Sequence, residues 1–193
     1  MITNEQIKNL RELTDVSVMQ CKKALEEAGG DAEKAVLILR KKSGDIAAKK
    51  QSRTLSAGAV AAYIHNNAAV GALVELLSET DFVSGNETFR QMAHDLAMHI
   101  TAANPEFLKR SDVPEKELKK VAELFAEEIK NKPTAIKDKI LKGKLDAHFK
   151  ERVLLEQTFI KNPDLTIQGF LDNAIQKFGE KIEIGRFARF SVK

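Results

Sequence analysis

The end of the chain constrains the fold most, because residues 182–192 alternate between apolar and other side chains. One side of this predicted strand carries Ile182, Ile184, Ala188, Phe190 and Val192, with Arg186 as the only exception. Two earlier segments, 59–65 and 70–77, also have strand character, and Asn66-Asn67 between them favours the positive φ of a hairpin turn. The sequence therefore predicts a small antiparallel sheet.

Three short helices are predicted before the sheet, within residues 1–44. Their apolar rows are Ile7, Leu10 and Leu13; Val18, Cys21, Ala24, Leu25 and Ala28; and Ala35, Val36 and Leu39. Thr3 and Gln6 form a capping box, Gly29-Gly30 ends the second helix, and Asp31 caps the third. Such a small unit is near the lower size limit for independent folding, so we expect it to present a surface to a partner.

Helical spacing also dominates the remainder of the chain. A helix capped by Asn86 ends at Asn104-Pro105, and an antiparallel helical hairpin is predicted over 112–150, broken at residues 131–133. The segment 153–161 has the length and apolar content of a strand, and Thr166 caps a last helix that Gly179 ends.

Together these patterns predict the α+β class, with a three-stranded antiparallel sheet, packed helices and a protruding helical hairpin. The predicted division is a three-helix domain over 1–44, a basic linker over 45–57 and a core over 58–193. No stretch approaches the roughly 20 apolar residues of a membrane span, and the N-terminus lacks the pattern of a secretory signal. We therefore expect a cytoplasmic protein without a membrane partner.

Basic residues are concentrated between positions 41 and 57. Lys41, Lys42, Lys49, Lys50 and Arg53 stand against Asp45 alone. Two interpretations follow: a solvated, partly helical linker, or a patch that binds phosphate or an acidic partner. The second interpretation gives an alternative function, a basic ribosome- or RNA-associated binding protein, although Tyr63 is the only tyrosine and tryptophan is absent.

The residues that could support catalysis do not form a recognisable site. Cys21 falls in an apolar helical row, which favours a packed core thiol over a reactive one. His94 and His99 are five positions apart, whereas two metal ligands on one helix prefer a spacing of four. Neither GxGxxG nor GxxxxGK[ST] occurs. We therefore predict a protein that is not an enzyme and has no cofactor or metal of its own.

Phe82 is the most informative single residue, because it follows Asp81 in a predicted loop and precedes a Ser-Gly-Asn breaker. The ring either folds back into the core or stands out as an apolar wedge for a partner. For Glu79 and Asp81, the pattern by itself favours solvated loop charges.

Several motifs, taken in order, resemble the elongation factor Ts family. They are Thr14-Asp15-Val16-Ser17-Val18-Met19-Gln20-Cys21-Lys22-Lys23-Ala24-Leu25, Glu79-Thr80-Asp81-Phe82-Val83, Ala97-Met98-His99-Ile100, Asn104-Pro105, Leu155-Glu156-Gln157 and Arg186-Phe187. The resemblance implies a guanine-nucleotide exchange factor that releases GDP from elongation factor Tu without covalent chemistry.

The resemblance also assigns residues. A small UBA-like N-terminal domain grips the nucleotide domain of Tu, here through Val18, Met19, Gln20, Lys22 and Lys23. The segment Thr80, Asp81, Phe82 and Val83 loosens the Mg²⁺ bound to Tu, and His99 is a contact of the core. Asp81 either fixes its own loop or bonds to a displaced helix terminus of Tu. No direct nucleic-acid partner is expected.

The chain departs from the family pattern at three places. Asp15-Val16-Ser17-Val18-Met19-Gln20 replaces Gly-Ala-Gly-Met-Met-Asp, Gln157-Thr158-Phe159-Ile160 replaces Gln-Pro-Phe-Val, and Gly185-Arg186-Phe187 replaces Arg-Arg-Phe. Longer family members carry a second core half. A single half with an open sheet leaves the choice between a monomer and a homodimer open.

Overall fold

A computed structural model describes residues 2–14, 16–130 and 133–192 of the chain. In these residues the elements are α1 Asn4–Thr14, α2 Val18–Glu27, α3 Ala32–Lys50, β1 Ala57–Ile64, β2 Val70–Ser78, α4 Asp81–Ser84, α5 Glu87–Ala103, α6 Glu115–Glu128, α7 Thr134–Lys150, α8 Ile167–Phe178 and β3 Ile182–Ser191. Short 3-10 turns lie at Arg110–Asp112 and Leu154–Glu156. The α+β class is confirmed. Asp15 and the predicted break at Asn131-Lys132 lie outside the described residues.

Local capping fixes the N-terminal helices as predicted. The Gln6 amide donates to Thr3 Oγ1 at 3.2 Å, and the Thr3 amide donates to Gln6 Oε1 at 2.9 Å. Asp31 accepts from the Lys34 amide at 3.1 Å, and Gly29 and Gly30 have positive φ. These contacts satisfy amides that a helix start leaves without intrahelical partners.

The three N-terminal helices enclose an apolar cluster of their own. Its buried members are Ile7, Leu10, Val16, Cys21, Ala24, Leu25, Ala35 and Leu39. The predicted rows were wrong for Leu13 and Val18, which are exposed. Ser17 caps α2, and Val16 lies inside because it precedes that cap and stands at the staple position relative to Cys21. Burial raises the pKa of the Cys21 thiol, in agreement with the prediction of a packed core cysteine.

The sheet has the order β1-β2-β3, and both pairings are antiparallel. One face packs against α5 and α8 and forms the main core, which includes Val74, Leu76, Leu96, Ile167 and Ile182. The β1–β2 hairpin is confirmed, but the positive φ falls on Ala68, whose amide donates to the His65 carbonyl at 2.7 Å.

A β-bulge at Gly185 overturns the predicted one-sided alternation of β3. Glu75 pairs with Arg186 and the next residue, Leu76, pairs with Ile184, so Gly185 is an extra residue on β3. Side chains beyond the bulge therefore change faces. Ile184 is buried, whereas Phe190 is exposed on the opposite face. The apparent exception, Arg186, marks the position where the alternation breaks.

The predicted strand over 153–161 was also wrong. This segment contains the 3-10 turn Leu154–Glu156 and one residue of each of two isolated bridges, Phe107–Val153 and Thr158–Thr166. Burial does not alternate at its start, because Val153 and Leu154 are both buried although they are adjacent. A strand would turn one of this pair toward solvent.

Helix α3 continues through the predicted boundary between domain and linker. It runs without interruption to Lys50, and Ile46 and Ala47 pack against the main core. The buried Ser43 hydroxyl donates to Gln176 on α8. Residues 45–50 are therefore a packed helix, while the division into domains stays a prediction.

His99 is fully buried beneath the segment 157–160. Its Nε2 lies 2.9 Å from Gln157 Oε1, and the Ile160 amide donates to its Nδ1 at 3.4 Å. Since the Gln157 side-chain amide itself donates to the Glu151 carbonyl at 2.6 Å, Oε1 faces the ring, and we assign a neutral Nε2–H tautomer. Burial, partly opposed by the bond to Gln157, lowers the pKa of His99.

We expect His99 to make the stability of the fold pH-dependent. Because its pKa is lowered in the folded state, the unfolded chain takes up the proton first as the pH falls below about 6.5. The free energy of unfolding should then decrease, by at most about 1.4 kcal/mol per pH unit for this one proton. Urea unfolding between about pH 7.5 and 5.5 measures this slope.

The variant His99→Asn should have a shallower slope, whereas His94→Asn, which changes a more exposed histidine on the same helix, should retain the full slope. Equal slopes in His99→Asn and the parent chain would contradict the assignment.

Candidate functional site

The segment predicted as a loop after β2 is a single helical turn, α4, held between β2 and α5. The Ser84 amide donates to the Thr80 carbonyl at 3.3 Å, and the Gly85 amide donates to the Asp81 carbonyl at 2.7 Å. A Cβ on Gly85 would lie 2.9 Å from that Asp81 carbonyl oxygen, so the tight turn requires glycine. Asn86 then caps α5 by accepting from the Thr88 amide at 2.8 Å.

Neighbouring side chains of α4 lie on different sides of the turn, one buried and one exposed. Val83 is 8% exposed and belongs to the main core, whereas Phe82 is 89% exposed. The core contact of Val83 anchors the turn, and the anchored turn holds the Phe82 ring in solvent. Of the two interpretations that the sequence left open for Phe82, the structure supports the exposed ring.

The carboxylate of Asp81 is exposed beside this ring. Within the described part of the chain, no hydrogen bond or ion pair involves its side chain; its carbonyl oxygen makes the local bonds to Ser84 and Gly85. The carboxylate therefore does not fix its own turn and is available to a donor outside the chain.

Thr80 and Glu79 are held by residues that sequence reasoning missed. Thr80 donates its amide to Glu180 Oε2 at 3.0 Å and its hydroxyl to Glu180 Oε1 at 2.6 Å. Glu79 accepts from the Lys181 amide at 2.5 Å and from Arg53 Nη1 at 3.2 Å. No local pattern could have identified Glu180 and Lys181, because they lie about a hundred positions further along the chain.

These contacts correct the interpretation of Glu79 as a solvated loop charge. Partial burial by itself would raise the pKa of Glu79, but the hydrogen bonds from Lys181 and Arg53 outweigh it, so this pKa lies below its ordinary value. Glu79 is therefore ionised at neutral pH and joins the end of β2 to the chain that follows α3.

The predicted N-terminal contact residues lie together on α2. Val18 and Met19 are exposed in its first turn, Gln20 is half-buried with its amide on Ser17 Oγ at 3.4 Å, and Lys22 and Lys23 are exposed one turn later. An apolar pair followed by two cations forms a surface that suits an apolar partner edged by carboxylates.

The two remaining predicted features, His99 and the basic segment 41–57, are both engaged in contacts within the protein. The side chain of His99 has no exposed surface, so a direct contact with a partner would require the core to open. In the basic segment, Lys42 pairs with Glu27 at 2.6 Å, Lys50 donates to the Gly179 carbonyl at 2.7 Å, and Arg53 pairs with Glu79. These contacts engage three of the basic side chains within the protein. The segment is therefore neither a free linker nor an unbroken cationic patch.

The described residues contain no cluster of three or more histidine, cysteine, aspartate or glutamate side chains that could hold a metal ion. Among the same residues, no helix has both the length and the hydropathy to cross a bilayer.

Comparisons with known proteins identify one family over nearly the whole chain. The family described as Elongation factor TS matches residues 2–193. Elongation factor Ts of Carboxydothermus hydrogenoformans is 47% identical over 194 residues, covering 100% of this chain and 89% of the relative. The Thermodesulfovibrio yellowstonii protein is 46% identical (99% and 96% covered), and the Thermosipho melanesiensis protein is 43% identical (100% and 99% covered). The chain therefore belongs to the elongation factor Ts family of translation elongation factors.

Proposed function

We propose that this protein is a guanine-nucleotide exchange factor for elongation factor Tu and acts in the cytoplasm during translation elongation. The observation that carries the proposal is the ring of Phe82, exposed on a turn that is anchored on both sides. This ring belongs to the segment Thr80–Val83, which the family resemblance associates with loosening of the Mg²⁺ that Tu binds.

The contact energy available to this ring is large enough to shift packed elements of a partner. Burying a phenylalanine side chain contributes roughly 1.5–3 kcal/mol. Because the core contact of Val83, the bonds from Thr80 to Glu180 and the Asn86 cap of α5 already hold the turn, little ordering entropy opposes insertion of the ring. Mg²⁺ requires near-ideal octahedral geometry. A small displacement of its ligands in Tu therefore weakens the binding of the ion and, with it, the binding of the GDP phosphates.

Asp81 contributes a second interaction in this proposal. Since its carboxylate has no partner among the described residues, it bonds to a donor of Tu, such as the amides of a helix terminus exposed by the displaced element. The exposed side chain of Asp81 therefore favours a bond to Tu over a role within its own turn.

The surface of α2 provides the first contact with the nucleotide domain of Tu. Val18 and Met19 supply apolar area, and Lys22 and Lys23 supply charge that steers an acidic partner. Binding of the factor and binding of GDP are then linked. If the factor lowers the affinity of Tu for GDP by a given ratio, GDP lowers the affinity of Tu for the factor by the same ratio.

The variant Phe82→Ala tests this function. Because the ring is exposed, the free energy of unfolding should change by no more than about 0.5 kcal/mol. Release of a fluorescent GDP analogue from Tu should become at least about tenfold slower, since loss of the ring removes roughly 1.5–3 kcal/mol of contact energy. Stopped-flow fluorescence measures the release rate, and urea unfolding measures the stability.

A matched control is Leu124→Ala, which shortens another exposed apolar side chain, on α6, and should leave release unchanged. If Phe82→Ala is folded and releases GDP at the parent rate, the wedge mechanism is wrong. If the parent chain does not accelerate release at all, the proposed exchange activity is wrong.

We also propose that the open face of the sheet binds the same face of a second copy. This outer face exposes Val60, Ile64, Leu73, Phe190 and Val192. Its Arg186 and Glu75 pair with each other at 3.4 Å, so two such faces meet without unpaired like charges. Face-to-face packing of two sheets and a two-fold axis that pairs identical patches are both standard solutions for burying such a surface.

Light scattering at several protein concentrations tests the homodimer. The parent chain should have twice the mass of the 21.5 kDa monomer, and Leu73→Lys, which places a charge in the centre of the face, should have the monomer mass. Leu124→Lys, at an exposed position on α6, is the control and should remain dimeric. A parent chain of monomer mass throughout would exclude the homodimer.

A further inference from the structure

Glu180 makes a two-point contact with the residue that begins the Phe82 turn. Its two carboxylate oxygens accept from the amide and the hydroxyl of Thr80, at 3.0 and 2.6 Å. The Thr80 hydroxyl consequently makes no capping bond to α4; it is turned toward Glu180. Thr80 and Glu180 are both half-buried, which protects these hydrogen bonds from competition with water.

A second contact of the same kind runs in the opposite direction. The carboxylate of Glu79 accepts from the amide of Lys181, while the carboxylate of Glu180 accepts from the amide of Thr80. We call these four residues the crossed clamp. Residues 79–80 therefore hold the backbone of residues 180–181, and residues 180–181 hold the backbone of residues 79–80. Rotation of either segment would break both of these hydrogen bonds.

The crossed clamp begins where the strand ladder stops. The last paired residues of β2 and β3 are Ser78 and Ile182, and both clamp segments lie immediately beyond them. Beyond Ser78 and Ile182 the two segments of the chain separate, one leading to α4 and the other to α8. The carboxylates of Glu79 and Glu180 therefore join the two segments for two residues beyond the sheet, where backbone hydrogen bonds no longer join them.

Glu180 is itself well fixed, so it can act as a reference point for α4. Gly179 ends α8 with a positive φ of 73°, and its carbonyl accepts from Lys50 Nζ at 2.7 Å. On the other side, Lys181 Nζ donates to the Gln51 carbonyl at 2.7 Å. Residue 180 is thus tied to α3, α8 and β3.

We propose that Glu180 is a positioning residue for Phe82, which it holds through Thr80 in the orientation that enters elongation factor Tu. This inference rests on the proposed exchange function. A four-residue helix has little stability of its own, because nucleation of a helix is unfavourable. Without Glu180, the Thr80 amide and hydroxyl lose their acceptor, and the exposed ring samples orientations that do not insert.

The first measurement needs only the isolated protein. Hydrogen–deuterium exchange by NMR should show the Thr80 amide exchanging about tenfold or more faster in Glu180→Ala, because it has lost its hydrogen-bond acceptor. Glu180→Gln retains one acceptor oxygen and should show a smaller increase. Amides of α5 and α8 should be unaffected in both variants.

The second measurement is the release of the fluorescent GDP analogue from Tu. Glu180→Ala should slow release about fivefold at saturating factor, since a misoriented ring inserts less often. In a Phe82→Ala background, the Glu180→Ala change should cause no further slowing. A purely structural role for Glu180 would slow release equally with and without the ring.

Glu156→Gln is the matched control, because Glu156 is also a half-buried carboxylate that accepts two hydrogen bonds, in its case from Arg110. It should leave both the Thr80 amide and GDP release unchanged. An unaltered Thr80 amide in Glu180→Ala, or parent-rate release by that variant while Phe82→Ala is slow, overturns the positioning role. Parent-rate release by Phe82→Ala overturns the proposed function itself, and this inference with it.

Discussion

The antiparallel pairing of β3 with β2 is the interaction on which the arrangement of this molecule depends. It joins the end of the chain to a strand that lies more than a hundred positions earlier, and it closes the main core between the sheet, α5 and α8. The same pairing brings residues 179–181 beside residues 79–80. The segment that carries Phe82 is therefore supported by residues that become its neighbours only when the sheet has formed.

A second constraint is the way apolar side chains are divided between core and surface. On α4, Val83 faces the core and Phe82 faces solvent, although the two residues are adjacent. On β3, the bulge at Gly185 places Ile184 inside and Phe190 outside. A bulge on β3 and a single helical turn at α4 thus each hold a large apolar side chain outward. Exposed apolar groups held on fixed backbone are suited to contact with other proteins.

The features that the sequence predicted correctly are those that depend on short-range chemistry. The capping pair Thr3 and Gln6, the cap at Asp31 and the helix ends at Gly30 and Gly179 each involve residues only a few positions apart. Periodicity located the helices for the same reason. It failed at Val18 and Leu13, because an apolar row predicts a buried face only where a neighbouring element covers it.

The features that the sequence did not predict depend on partners that are distant along the chain. The bulge at Gly185 arises from its register against Glu75 and Leu76. Residues 153–161 do not join the sheet, because the amides of Leu154 and Leu155 donate to the carbonyls of Phe107 and Leu108. At the candidate site, the family resemblance pointed to Thr80–Val83 but gave no indication of Glu180. The contact between Thr80 and Glu180 is visible only in three dimensions.

Helix α3 connects the two surfaces that are proposed to contact Tu. It packs on α2 and α1 at its beginning, places Ser43 and Ile46 against the α8 side of the core, and ends one turn before Arg53, which pairs with Glu79. A flexible linker would let the α2 surface and the Phe82 turn move independently, and the second contact would then carry its own ordering cost. Because α3 is continuous over this distance, binding through α2, as proposed, would also set the position of the Phe82 ring, and the contact energy of the ring would remain available to distort the nucleotide site of the partner.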